Sequence, residues 1–378
     1  MERKRSERSR GTRYGRLAPY QDKEREGKKR PKRRIEEKFG KFQVQAAGFE
    51  FVPALMFTIE RYLGGVPQDE QTDLERRLGR ALAEIPKSQE LLEQALAMHK
   101  RIPLEIKRRA FSMCFEDRPR NRGISDNELS VILERARAFK NRPVAALATL
   151  AAAANPGHGK TGGCCQSDDP PRDPPPTPPL PNRYEVDFLK LYCVDESDPE
   201  WFGTDEPYVV FGVMTEEMAE AGTPAQGFHT PVYSDVDDGD TRPESGDANL
   251  RVFGFTGPRA IASSVLITAS CFENDLGNPE ETTSAVRTAL TTVATTAAGA
   301  GGVAGWVVAG AAAVAIGVTY LVDLIGADDT INGTQAISLT QADADARTAG
   351  GPFVFPALHF DGGDGDGIYD VYLRLRRA

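Results

Sequence analysis

Hydrophobic residues recur at helical spacing in the first half of the chain. Large apolar residues stand at positions 51, 55, 59 and 62, and Gly64-Gly65 ends the pattern. Four more helices are predicted between prolines, over Asp73–Glu84, Ser88–Lys100, Pro103–Cys114 and Asp126–Lys140. Ser125 or Asp126 is a candidate N-cap for the last of these. The pattern predicts a small α-helical domain over residues 43–154.

A Gly/Pro-rich linker is predicted over residues 155–183. Four glycines between Gly157 and Gly163 are followed by closely spaced prolines from Pro170 to Pro181. Such a stretch cannot sustain a helix or a strand ladder, and it behaves as a semi-rigid spacer.

After the linker the hydrophobic period becomes two. Apolar residues alternate along 189–193, 265–271 and 369–375. Short strands separated by Asp-, Gly- and Pro-rich loops predict an antiparallel β-sandwich over residues 184–378. The whole chain is therefore predicted to be an α+β multidomain protein.

Charge divides the chain into a basic and an acidic part. Residues 1–150 contain 34 Lys and Arg against 22 Asp and Glu, whereas residues 151–378 contain 12 against 33. The acidic part is a poor partner for nucleic acid or anionic lipid unless a cation bridges them. Residues 1–42 are predicted to be a disordered basic tail, whose run Lys28–Arg34 is a candidate polyanion-binding or nuclear-import patch.

Several classes of function lack support in the sequence. No signal peptide opens the chain, and the five cysteines are scattered, so a cytoplasmic, reducing location is predicted. No Ser/His/Asp set or paired-carboxylate motif is found, which predicts a non-enzymatic protein. Ala154–Thr161 fits a relaxed P-loop string, but the flanking alanines and prolines do not fit a strand and a helix, so no nucleotide is expected.

Three acidic patches carry the most specific signal. They read VDESDPEWFGTDEPYV, FEND and DDTINGTQ, and they cover Val194–Val209, Phe272–Asp275 and Asp328–Gln335. Their spacing resembles that of the acidic loops of the C2 domain, a β-sandwich that binds calcium and phospholipid. Its first loop is matched from Glu200 and Gly203 to Val209, and its third loop by the other two patches. The resemblance covers most of residues 184–378 and nothing before them.

The resemblance implies a calcium site at one end of the sandwich. The candidate ligands that it implies are Asp205, Glu206, Glu273, Asp275 and Asp329. Glu206 and Glu273 stand where the family carries Asp, and a longer side chain weakens a site that is tuned for Asp. Two further acidic loops, at 235–240 and 361–366, do not fit the EF-hand spacing. The alternative is that all these loops are acidic turns that favour solubility and tight turning.

A hydrophobic insertion separates the second and third patches. No charge lies between Arg287 and Asp323, and the glycines at 299–302 predict a helical hairpin over residues 280–326. Its second arm has about the length that spans a bilayer core. Small residues and one tryptophan mark the candidate contact face of the hairpin, at Gly301, Gly305, Trp306 and Ala309.

Three environments are open for this hairpin, namely packing on the sandwich or a partner, reversible entry into lipid, and a constitutive membrane span. Because both ends of the hairpin lie beside the presumed metal site, cation binding would be coupled to the position of the hairpin.

Together these observations predict a non-enzymatic binding protein with peripheral membrane association. Its C2-like domain would dock on an acidic membrane surface or a protein partner, with calcium as the bridging cofactor. The alternative is a toxin-like or delivered effector whose hairpin inserts into a membrane. An enzyme with its site in residues 43–150 is a third hypothesis, for which the sequence offers no named residues.

Overall fold

The described part of the chain excludes the predicted tail and most of the predicted linker. The computed structural model describes residues 51–111, 115, 118–119, 121–140, 180–196, 206–274, 278–298, 303–325, 329–362 and 367–378. Within these ranges, the side chains of residues 109–110, 134–140, 303–312, 329–330 and 332 lie outside the description. The described residues all belong to one compact unit.

Five α-helices form the first part of this unit among the residues that the structure describes. They are α1 (Phe51–Leu63), α2 (Asp73–Ala83), α3 (Ser88–Arg101), α4 (Leu104–Ala110) and α5 (Asp126–Lys140). The predicted helices are confirmed, but α4 ends four residues early because Phe111 takes extended backbone angles. Ser125 is confirmed as the cap of α5, since its hydroxyl accepts a hydrogen bond from the amide of Glu128 at 3.3 Å.

From Tyr184 onward the described segments contain ten strands and four helices. The strands are β1 (Tyr184–Asp195), β2 (Pro207–Thr215), β3 (Gln226–His229), β4 (Thr241–Arg242), β5 (Leu250–Phe253), β6 (Ser264–Glu273), β7 (Asp329–Thr340), β8 (Phe353–Val354), β9 (Leu358–Asp361) and β10 (Ile368–Arg377). The helices are α6 (Glu216–Ala221), α7 (Pro279–Ala298), α8 (Val303–Ile325) and α9 (Gln341–Arg347).

The strands form two antiparallel sheets. The first has the order β4-β1-β10-β8, with β5 also paired to β1 and β9 to β10. The second has the order β3-β2-β6-β7. The described residues thus form a mixed α+β structure with two antiparallel sheets.

One hydrophobic core lies between the two sheets. Alternate residues of β10, at 369, 371, 373 and 375, are buried in it, as the period of two predicts. Phe188 of the first sheet packs on Phe211 of the second, with ring centroids 5.5 Å apart. Strand β6 is buried on both faces from Ser264 to Phe272. A strand buried on both faces needs a cover on the side away from the core.

Helix α7 supplies that cover. Its Thr291 hydroxyl accepts a hydrogen bond from the Ala225 amide at 2.9 Å, and its Arg287 Nε donates to the Ala225 carbonyl at 2.7 Å. The Leu290 side chain lies directly over Gly212 of β2. Helix α7 is therefore packed on the outer face of the second sheet.

Helix α8 connects the second sheet to the first five helices. Its Thr319 hydroxyl accepts a hydrogen bond from the amide of Thr334 in β7 at 2.8 Å. On its other side, Gln94 of α3 donates to the Ile325 carbonyl at 2.5 Å, and His99 Nδ1 lies 2.6 Å from Tyr320 Oη. The hairpin of α7 and α8 thus lies between the sheets and the first helices.

Buried threonines give α7 an unusual interior composition. Thr288, Thr292 and Thr296 have no exposed surface. The Thr292 hydroxyl donates to the Thr288 carbonyl, and the Thr296 hydroxyl donates to the Thr292 carbonyl, both at 2.7 Å. Because a hydroxyl bonded to its own helix needs no other partner, Thr292 and Thr296 are tolerated in a dry interface. The buried Thr288 hydroxyl, in contrast, has no hydrogen-bond partner among the described residues.

Replacing Gly212 with alanine is expected to destabilise the contact between β2 and α7. A Cβ at this position would lie 2.6 Å from both Leu290 Cδ2 and Thr268 Oγ1, so one of them must move. Overpacking of this kind costs about 1–3 kcal/mol. The free energy of unfolding, measured by chemical denaturation, should fall by that amount.

Gly350→Ala is the matched control. No atom lies within 4 Å of a Cβ built there, and the residue has no positive φ. Its free energy of unfolding should stay within about 0.5 kcal/mol of the parent value. Equal destabilisation by the two substitutions would contradict the packing of α7 on β2.

Acid is expected to weaken the contact between α3 and α8. Burial, with help from Lys107 and Lys100, lowers the pKa of His99 from 6.5 to about 3. The unfolded chain therefore binds a proton between these pH values while the folded chain does not. The contribution of neutral His99 to the free energy of unfolding is fully present above pH 6.5 and is lost as the pH falls toward 3. Denaturant midpoints measured across this range should report the loss.

Two variants separate the titration from the hydrogen bond. His99→Gln removes the titrating group and should flatten this part of the pH dependence. Tyr320→Phe removes the hydrogen-bond partner but leaves His99 buried, so it should lower stability while the slope remains. A slope unchanged in His99→Gln would show that other groups dominate the acid response.

Candidate functional site

The ends of three adjacent strands bring the acidic patches together. In the second sheet, Pro207 at the start of β2 pairs with Glu273 at the end of β6. Glu273 pairs in turn with Asp329 at the start of β7. The backbone positions of Glu206, Glu273 and Asp329 therefore lie along one edge of the sheet, although residues 274–328 separate the last two.

The first sheet contributes acidic residues from its own strand ends. Asp195 at the end of β1 pairs with Ile368 at the start of β10, and Ile368 also pairs with Asp361 at the end of β9. The loop before β4 is held beside this edge, because the Glu196 amide donates to Asp238 Oδ1 at 2.7 Å.

Both edges lie at the same end of the two-sheet body. At the opposite end, the Tyr184 hydroxyl at the start of β1 donates to Asp345 Oδ1 at 2.5 Å. Asp345 belongs to α9, which directly follows the last residue of β7. The start of β1 thus meets the end of β7, and the end of β1 lies on the same side as the start of β7.

We call this end the acidic pole. Its described members are Asp195, Glu196, Glu206, Asp235, Asp237, Asp238, Asp240, Glu273, Asp361 and the backbone of Asp329. Arg242 pairs with Asp240 at 2.8 Å. Because carboxylates outnumber positive groups at this pole and repel one another, the pole attracts cations.

Glu206 and Asn274 form the best-defined part of the pole. The Asn274 amide donates to the Glu206 carbonyl at 3.1 Å, and its Nδ2 donates to Glu206 Oε2 at 3.0 Å. The Asn274 Oδ1 atom is buried and has no hydrogen-bond partner among the described residues. The Glu206 carboxylate and the unpartnered Asn274 amide oxygen belong to neighbouring side chains, and both are ligand types that calcium accepts.

The predicted site residues fall unevenly on the described chain. Glu206 and Glu273 have described side chains, whereas only the backbone of Asp329 is described. Asp205 and Asp275 lie outside the described residues, as does Gly301. Among the residues that the structure does describe, no group of three or more His, Cys, Asp or Glu side chains is placed to hold a metal ion.

The remaining predicted hairpin residues lie on α8. Gly305, Trp306 and Ala309 fall within the helix, in the part whose side chains are outside the description. From Ala313 onward α8 is largely buried by the protein itself. Within the described part of the chain, no helix combines the length and the apolarity needed to cross a bilayer.

Sequence reasoning missed part of the pole. Asp195 was not a candidate, and the turn at Asp361 was not connected to the other patches. The position of each carboxylate at the end of a predicted strand could have indicated this. In an antiparallel sheet, the end of one strand lies beside the start of its neighbour, so such residues meet at one end of the sheet. The amide oxygen of Asn274 was likewise not considered as a ligand.

Comparison with protein-family models, with curated proteins and with solved structures found no match to this chain. The resemblance to the C2 family therefore stays a prediction from the loop residues.

Proposed function

We propose that this chain is a non-enzymatic binding protein with a C2-like sandwich and an inserted helical hairpin. Its acidic pole would hold calcium and dock on an anionic membrane surface or a protein partner. The observation that supports this most is the meeting of strand ends from both sheets at one pole, where the Asn274 side chain is hydrogen-bonded to the Glu206 carboxylate.

Calcium suits the chemistry of this pole. The ion takes six to eight oxygen ligands at about 2.3–2.6 Å, and one loop rarely supplies them all. Glu206 and Glu273 would contribute carboxylates from the described residues, and Asp205, Asp275 and Asp329 are the predicted additional ligands. Asn274 Oδ1 would add a neutral oxygen, which lowers the repulsion among the carboxylates.

Docking would follow from the change of charge. An uncompensated acidic pole repels anionic headgroups, whereas a cation that keeps open coordination positions accepts oxygens from a headgroup or a partner carboxylate. Binding to an anionic surface should therefore require calcium and weaken as salt screens the remaining charge.

Membrane insertion by the hairpin is the alternative function. Entry into lipid would require α7 to leave β2 and β3, and α8 to leave α3 and β7. The burial of both helices favours docking over insertion. Release of the contents of lipid vesicles would be the sign of insertion.

Calcium is expected to bind the full chain and to lose affinity when the pole loses charge. Glu206→Gln with Glu273→Gln removes two candidate ligand carboxylates and keeps side-chain size. Each lost charged ligand should weaken binding about tenfold or more, which corresponds to about 1.4 kcal/mol. Isothermal titration calorimetry of the parent and the double variant measures the difference.

Glu220→Gln is the control, because it removes an exposed carboxylate from α6, which follows the end of β2 opposite to the acidic pole. It should leave calcium affinity unchanged. A flat titration of the parent chain, or equal affinity in all three proteins, would refute the proposed site.

Vesicle assays separate docking from insertion. The full chain should sediment with phosphatidylserine-containing vesicles when calcium is present and stay in solution with phosphatidylcholine vesicles. Release of an entrapped dye would instead favour hairpin insertion. If the chain binds calcium but does not bind the vesicles, a protein partner is favoured over a membrane surface.

A further inference from the structure

A second candidate surface lies on the first helices and is separate from the acidic pole. A groove of about 970 Å³ runs along α2. It is lined by Tyr62 at the end of α1, by Gln68 and Gln71 of the connection to α2, and by Arg76, Arg77 and Arg80 of α2. Asp73, Glu75 and Asp126 complete the charged part of the lining. We call it the arginine groove.

Two of the three carboxylates in this groove are already paired. Glu75 binds Arg61, with Nε and Oε1 2.5 Å apart, and both side chains are almost fully buried. Asp73 is paired with Arg76 on the same helix. These two pairs leave Arg77, Arg80 and Asp126 as the lining charges without an ion pair among the described residues.

Arg77 has hydrogen-bonding capacity that the protein does not use. Its Nε atom is buried and has no acceptor among the described residues. A buried donor without an acceptor costs about 1–3 kcal/mol. A ligand oxygen that completes the hydrogen bonds of this guanidinium would recover part of that cost.

The spacing of the two arginines defines the ligand. Arg77 and Arg80 are three residues apart on α2, so their side chains leave the helix on neighbouring positions. Guanidinium forks match carboxylates with two parallel hydrogen bonds. Gln68 is exposed and offers an amide group of the kind that binds peptide backbone.

We infer that the arginine groove binds an acidic peptide segment of a protein partner. Two neighbouring carboxylates of the peptide would pair with Arg77 and Arg80, while its backbone lies along Gln68. Tyr62, whose pKa is raised by burial, keeps a protonated hydroxyl as an additional donor.

A fluorescent poly-glutamate peptide tests this assignment with the full chain at near-physiological salt. The peptide should bind the parent protein, and Arg77→Gln with Arg80→Gln should weaken binding at least about tenfold. Fluorescence anisotropy measures the affinity. Arg80→Gln alone, at an exposed position, should show a smaller loss and keeps the test valid if the double variant folds poorly.

Arg108→Gln is the matched control, since it removes an exposed arginine of α4 that does not line the groove. It should leave the affinity unchanged, and binding through the basic residues 1–42 is common to all variants. Equal affinity in the parent, the groove variants and this control would overturn the inference. Tighter, Arg77- and Arg80-dependent binding of tripolyphosphate would also overturn it in favour of a phosphate ligand.

Discussion

The burial of the helical hairpin is the constraint on which this structure depends. Strand β6 is buried on both faces, and only one face meets the core between the sheets. Helix α7 covers the other face, and α8 presents Tyr320 and Ile325 to the first helices. The hydrophobic driving force scales with the apolar area removed from water. Exposing this hairpin to water would therefore destabilise both the second sheet and the first helices.

Local patterns were sufficient to predict the elements of the fold. The stripe beginning at Phe51 and the cap at Ser125 identified helices, and the alternation from Tyr369 to Leu375 identified the last strand. Glycines at 299–302 predicted the break between the two arms of the hairpin. These signals are local, since each depends on residues within one or two turns or along one strand.

Contacts between distant segments were beyond the reach of the sequence. Nothing near His99 indicates that its partner is Tyr320, and nothing near Arg77 indicates that Asp126 completes the same groove. For the acidic pole, the sequence supplied Glu206 and Glu273 through the resemblance. Asp195 was missed because its place depends on the register of β1 with β10. Pairing between distant segments is a property of the assembled structure.

The route of the chain between β6 and β7 has a consequence for how the second sheet is completed. Glu273 and Asp329 are neighbours across two strands, yet the whole hairpin separates them in the sequence. The two helices of the hairpin, 20 and 23 residues long, return the chain to the end of the second sheet at which β6 finished. Rigid arms of similar length reduce the entropy lost in closing so long a loop. Addition of β7 to the sheet should therefore wait for the two helices to form, which makes helix formation the step that controls assembly of this edge.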